Sequence, residues 1–231
     1  MKTLLTVSTA LLLAIASPIG AADKDSPFYV DKREFRKQFK TIALSPVDAD
    51  AHLQMPDGVG EMIETEVTKH LQKRGFNVIP SSVLGGIRKT MEEQVGGFED
   101  KETGRIDIEK MQAVRTHSIR ELWFRHELDA IATVRVSASQ VPLENDSVHW
   151  DGARQTIERE GKRLKYTGQI VASSVSFAVY DQSDRVLYLN YGGLEALMMR
   201  DQEQLVPLPS DRYFNDEKRI RKAAQIAMSP I

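Results

Sequence analysis

Between Phe39 and Leu84 the chain reads strand, helix, strand, helix, and this order constrains the fold more than any other stretch. Thr41-Ile-Ala-Leu-Ser-Pro-Val47 is a short apolar run. A polar loop from Asp48 to Gly60 follows, with Pro56 and Gly58 inside it. From Glu61 to Lys73 the spacing is helical: Val59, Ile63, Val67 and Leu71 stand four apart, with Met62 beside them. Gly75 occupies the place of a left-handed helix cap. Phe76-Asn-Val-Ile79 is a second strand, and Pro80-Ser-Ser82 opens another helix. Two short strands joined by one helix are most simply parallel neighbours in a right-handed crossover. Later strands must then extend the same sheet.

The remaining elements follow from periodicity. Val83 to Gln94 is predicted helical, with Leu84, Ile87 and Met91 on one face and Gly96-Gly97 at its end. Phe98 to Arg105 reads as a charged loop. Ile106 to Glu127 is the longest helical candidate, with Asp107 and Glu109 placed to suit the helix dipole. Its stripe, Ile108, Met111, Arg115, Ser118 and Leu122, is broken, so Trp123, Phe124 and Leu128 are expected to dock it. Asp129 to Ser139 alternates as a strand, closed by Pro142. Val148-His-Trp150 begins another, with Asp151-Gly152 and Glu160-Gly161 as turn signals. Tyr166 to Asp181 is the strongest strand; Asp181-Gln-Ser-Asp184 turns it back into Arg185 to Tyr191, which Gly192-Gly193 should stop. Leu205 to Pro209 is an extended connector. Asn215 is a suitable cap for a last helix whose inner face is Ile220, Ala223, Ala224, Ala227 and Met228.

The expected fold class is α+β, with an α/β first half, a mixed parallel and antiparallel sheet, and helices mainly on one face. Residues 39–231 are expected to form a single α/β domain. Residues 23–38 form a mobile or loosely docked segment, in which Phe35 and Phe39 lie one helical turn apart.

Residues 1–22 read as a signal peptide: Lys2, an apolar core from Leu4 to Ile15, then Ser17-Pro-Ile-Gly-Ala-Ala22. An uncleaved anchor is the other reading of that segment. No later run is long enough to span a membrane. The product is expected to be exported, soluble and periplasmic. The chain has no cysteine, which excludes disulfides, thiol catalysis, cysteine metal sites and a lipid-attachment cysteine. Net charge is −2, or −3 once Lys2 leaves with the leader, which argues against nucleic acid as the main partner.

No stretch carries a catalytic spacing. The five histidines (52, 70, 117, 126, 149) include no His-Glu-x-x-His. His117 and Glu121 share a helical face, and His52 lies among Asp48, Asp50 and Asp57; both read more simply as solvated groups than as metal ligands. Ser173, Ser174 and Ser176 sit within a strand without a Gly-x-Ser-x-Gly elbow. The glycine pairs lack phosphate-loop spacing. No catalytic residue, cofactor or metal is expected. The distinctive patch is Arg154, Arg159, Lys162, Arg163 and Lys165, offset by Glu158 and Glu160 for a local +3 around a turn at Gly161. It reads either as a basic arm that docks an acidic partner, or as a solvated, charge-protected edge.

The element order resembles the small periplasmic domain at the N-terminus of TolB and in curli-assembly and related envelope lipoproteins, which share an anticodon-binding-like fold. The residues behind the resemblance are Thr41 to Val47, the helix ending Leu71-Gln-Lys-Arg-Gly75, and Phe76 to Ile79. Leu128-Asp-Ala-Ile-Ala-Thr-Val-Arg-Val136, the hairpin from Val175 to Leu189 and Tyr213-Phe-Asn-Asp216 complete it. The resemblance implies a non-enzymatic protein that binds an envelope protein or acidic envelope component and assists assembly or regulation of an envelope structure. Without a lipid-attachment cysteine, this chain would be free rather than tethered. The alternative is a small-ligand or metal-binding periplasmic protein using the loop from Asp48 to Asp57.

Overall fold

A computed structural model of the chain describes residues 26–99, 103–157, 166–201 and 204–231. On the parallel side of its sheet, β1 (Thr41–Leu44) lies between two parallel neighbours. One is β3 (Asn77–Ile79), with Thr41 opposite Asn77; the other is β4 (Ala130–Glu144), with Ile42 opposite Ala130. The crossover helix between β1 and β3 is α2 (Val59–Lys73), and Gly58, at φ 83°, opens it. A two-residue strand, β2 (Asp48–Ala49), continues beside β4. The strand–helix–strand unit read from the sequence is therefore present, with its strands parallel.

The second half is antiparallel. β4 pairs along its length with β7 (Gly168–Tyr180), and β7 pairs with β8 (Val186–Ala196). β5 (Ser147–Trp150) turns back from the end of β4, and β6 (Ala153–Thr156) turns back from β5. The fold is thus α+β on a mixed, curled sheet.

Among the described residues, three apolar clusters hold the layers together. On one face, α1 (Lys32–Gln38), α2 and α5 (Glu217–Met228) cover the alternate residues Ala130, Ala132, Val134 and Val136 of β4 and Val175, Phe177 and Val179 of β7. The inner face of α5 is Ile220, Ala223, Ala224, Ala227 and Met228, all buried as its spacing predicts. On the opposite face, α3 (Ser81–Gln94) and α4 (Ile108–His126) pack over Ala43 and Ile131 through Leu122, Leu128 and Trp123. Farther along β4 and β7, Val141, Leu143, Val148, Trp150 and Ile170 form the third cluster beneath the β5–β6 hairpin.

The amino-terminal segment packs on the body. Asp31 caps α1 by accepting the Arg33 and Glu34 amides. Phe35 is fully buried, and Phe28 stacks edge-on against both Phe35 and Tyr188. Backbone bonds from Tyr29 N–H to Leu187 O and from Leu189 N–H to Pro27 O tie this segment to the edge of β8.

Five expectations need correcting. Phe124 does not dock α4: it is 83% exposed, whereas Leu122 is 0% exposed and carries the contact. Pro142 does not close β4. It lies past the end of pairing with β2 at Val136 and before pairing with β5 at Leu143, so no strand on that side requires its missing N–H. Gly192-Gly193 does not stop β8; it lets other backbone lie against the strand. Leu205 lies in β10 (Gln204–Pro207), which forms a separate hairpin with β9 (Met198–Asp201). The cap of α5 is Asp216, whose carboxylate accepts the Arg219 amide, one residue beyond Asn215.

Candidate functional site

The site is built around the β5–β6 hairpin. Its tip is Asp151-Gly152, both at positive φ (43° and 73°), the conformation that a two-residue hairpin turn requires. The turn folds the hairpin over β7 and β8. The Trp150 indole N–H donates to Ser173 O at 2.9 Å, and the Ser174 hydroxyl donates to Asp151 Oδ2 at 2.6 Å. Gly193 has no room for a side chain, because a Cβ there would lie 2.6 Å from Trp150 O.

β6 pairs with β5 and packs against β8, with Ala153 over Gly193. Two bonds tie the hairpin to β8: Gly193 N–H to the Asp151 carbonyl in the turn at 2.9 Å, and Ala196 N–H to the Gln155 side-chain Oε1 at 3.0 Å. Between them and the start of α5 is a cleft of about 230 Å³. Trp150, Gly193 and Leu194 line its strand side, and Arg154, Lys218, Arg219 and Lys222 bring four cations against Asp216, a balance of four minus one, or +3.

These cations differ in role. Arg219 reaches Glu195 Oε1 at 3.4 Å and the exposed Asp216 Oδ2 at 3.7 Å, so it serves partly to neutralise the buried Glu195 carboxylate. Glu195 is 8% exposed and also accepts the Phe214 amide at 2.7 Å. Burial pushes its carboxyl up from the usual range, although the Phe214 amide and Arg219 pull the other way. It also pins Phe214, which sits at φ 56°, in the turn leading into α5. Among the described residues, Arg154 makes only a long contact, 3.4 Å from Nε to Ser147 Oγ. Among the described residues, no carboxylate lies in ion-pair range of Lys218 or Lys222. Arg154, Lys218 and Lys222 are therefore the charges presented to a ligand.

Of the basic patch read from the sequence, Arg154 lies in this cleft, while Arg159, Lys162, Arg163 and Lys165 lie outside the described residues. Lys218 and Lys222 were missed. Their signal is a pair four apart on the side of α5 away from its buried stripe, but nothing local says that β6 lies opposite.

Several of the other candidates have structural partners. Asp50 accepts Arg135 at 2.8 Å and the Ala138 amide at 3.1 Å; these bonds hold its carboxyl below the usual range. Arg135 is also within 3.9 Å of Asp48. Among the described residues, no group of three or more His, Cys, Asp or Glu side chains could hold a metal. Glu121 pairs with Arg125 rather than with His117. Ser173 donates to Glu195 O and Ser176 to Arg135 O, so both hydroxyls satisfy sheet carbonyls. Among the described residues no helix is long and apolar enough to cross a membrane. No protein-family model matches the chain, and no curated protein sequence does.

Proposed function

We propose that this is an exported, non-enzymatic protein of the periplasm that assists assembly or regulation of an envelope structure by docking an acidic segment of a partner. The observation that carries this reading is the cleft between β6 and α5, where Arg154, Lys218 and Lys222 face a common space and, among the described residues, have no carboxylate within ion-pair range. Its volume, about 230 Å³, is below the roughly 300–1,000 Å³ of pockets that enclose small-molecule ligands. It suits one or two residues of a larger partner better than a whole metabolite. The leader-like residues 1–22 and the likeness in element order to TolB-type periplasmic domains support the same reading. The alternative site, the loop from Asp48 to Asp57, has its central carboxylate committed to Arg135.

The test is crosslinking in cells from a photoreactive residue at Thr156, which is exposed on β6 beside the cleft. The expected result is one specific envelope adduct that disappears in a Lys218→Glu/Lys222→Glu variant. An adduct indifferent to those charges, or a protein retained in the cytoplasm, overturns the proposal.

A further inference from the structure

We infer that the acidic segment binds in extended form, adding as a strand along the outer edge of β6, with carboxylates two residues apart meeting Lys218 and Lys222. This rests on the docking reading above and deepens it by giving the conformation and spacing of the ligand. β6 ends its sheet, and among the described residues β5 is the one strand paired with it. The pairing decides which backbone groups point outward. Trp150 and Ala153 flank the two-residue turn, and the Ile157 N–H donates to Asp146 O at 2.9 Å, so residues 153, 155 and 157 direct their backbone groups at β5. Arg154 and Thr156 turn theirs to the other edge, and among the described residues nothing bonds to them there. β8 does not use that edge: β6 rests on it through side chains, with Ala153 over Gly193 and Gln155 Oε1 accepting the Ala196 amide.

The cations set the pattern of the ligand. Ala153, Arg154 and Gln155 line the cleft from β6, and Lys218 and Lys222 line it from α5, so a chain laid along β6 runs beside the two lysines. Both lysines are exposed. Standing four apart on a helix, they are separated by about 6 Å along its axis. Alternate side chains on one face of a strand are roughly 6.6 Å apart. Aspartates or glutamates at every second position therefore fall in step with Lys218 and Lys222, and charge-assisted bonds to both add to the backbone bonds at Arg154 and Thr156. A helical acidic segment would leave those backbone groups unused. A second copy of this chain is a poor occupant, because pairing two β6 edges would set Arg154, Lys218 and Lys222 against the same cations of the other copy.

The experiment uses the full mature chain and a fluorescein-labelled heptapeptide of alternating valine and glutamate, ending in an amide. Two further peptides carry N-methyl groups, one on every glutamate amide and the other on every valine amide. Amides along a strand point alternately to its two edges, so only one of these sets faces β6. Binding is followed by fluorescence anisotropy at low salt. One methylated peptide is expected to bind at least tenfold more weakly than the parent while the other stays within about threefold of it. The Lys218→Glu/Lys222→Glu variant is expected to lose the parent peptide. Equal binding of the two methylated peptides, with the parent lost in that variant, overturns strand addition and leaves acidic docking standing. Sedimentation that finds a dimer dissolved by Thr156→Pro, which removes an outward N–H, gives the edge to a second copy and overturns strand addition as well. Binding of no peptide, or parent binding unchanged in the lysine variant, overturns both.

Discussion

Gly192 on β8 lies directly beneath Ala223 on α5, and a Cβ on the glycine would fall inside the Ala223 carbonyl and 2.9 Å from the Ala227 amide nitrogen. The helix therefore rests on strand backbone rather than on side chains. Tyr188 and Asn190, on the same face of β8, reach the helix with hydrogen bonds to Ala227 O at 2.7 Å and Ile226 O at 3.1 Å.

Gly192→Ala should cost about 1–3 kcal/mol, because a methyl group must push α5 off the sheet. Gly85, within α3, faces open space, so Gly85→Ala should instead add about 0.5–1 kcal/mol through helix propensity. Urea unfolding of the two variants checks this directly. An unchanged midpoint for Gly192→Ala would show that the close approach imposes no requirement.

The two aromatic and aliphatic neighbours on α4 should part company. Leu122→Ala removes a fully buried side chain and is expected to cost about 2–5 kcal/mol. Phe124→Ala removes one that is 83% exposed and should stay within about 0.5 kcal/mol of the parent. Thermal melts that ranked them the other way would return the docking of α4 to Phe124.

Phe35 joins the amino-terminal segment to the body, and its ring lies 5.5 Å from Phe28 and 6.0 Å from Phe76. Phe35→Ala should cost about 3–5 kcal/mol, the range for a large buried aromatic. A loss below about 1 kcal/mol, measured by denaturant titration, would mean that residues 26–38 contribute little to holding the fold together.

Two groups predict opposite pH trends. Burial and the neighbouring Arg74 hold the His70 imidazole below its usual 6.5, and its Nε2 is buried without a partner among the described residues. Protonation would place a second donor where no acceptor waits; Glu66 opposes this shift without cancelling it. The folded state thus binds the proton less well than the unfolded chain, and stability falls as pH drops from 6.5 toward the folded value. Glu195 is shifted up from 4.5, so the folded state retains a proton that the unfolded chain has released. Its contribution therefore declines as pH rises from 4.5 through the folded value. Melting temperatures between pH 4 and 8 should lose the first slope in His70→Gln and the second in Glu195→Gln. Either variant retaining its parent slope would reassign that titration.

Where one periodicity governed a whole element, the sequence was sufficient. The four-residue spacing of Ile63, Val67 and Leu71, and the small inner face Ala223, Ala224 and Ala227, both translate into buried stripes. The failures share a cause. Pro142 and Gly192-Gly193 carry local signals for stopping a strand, yet each is decided by what lies beside it: an unpaired stretch of edge for Pro142, a helix backbone for Gly192, the Trp150 carbonyl for Gly193. The cleft was half legible. Arg154 stood out within a basic run, but its partners at Lys218 and Lys222 lie more than 60 positions later and meet it only through the β5–β6 turn.

The two partners of β1 come from distant parts of the chain, β3 ending at Ile79 and β4 beginning at Ala130. The consequence lies in time. As the chain emerges from its amino end, β1 and β3 make only a two-stranded fragment, which is marginal alone in water. They wait for both helices of the α3–α4 pair to pass before β4 arrives, and β4 in turn waits for Gly168 to Tyr180. Closure of such distant pairs makes folding slower than that of a helical bundle rich in local contacts. During that interval the uncovered edge of β1 is where one nascent molecule would stick to another. β1, among the first strands made, is enclosed only when β4 arrives, and β4 only when β7 does.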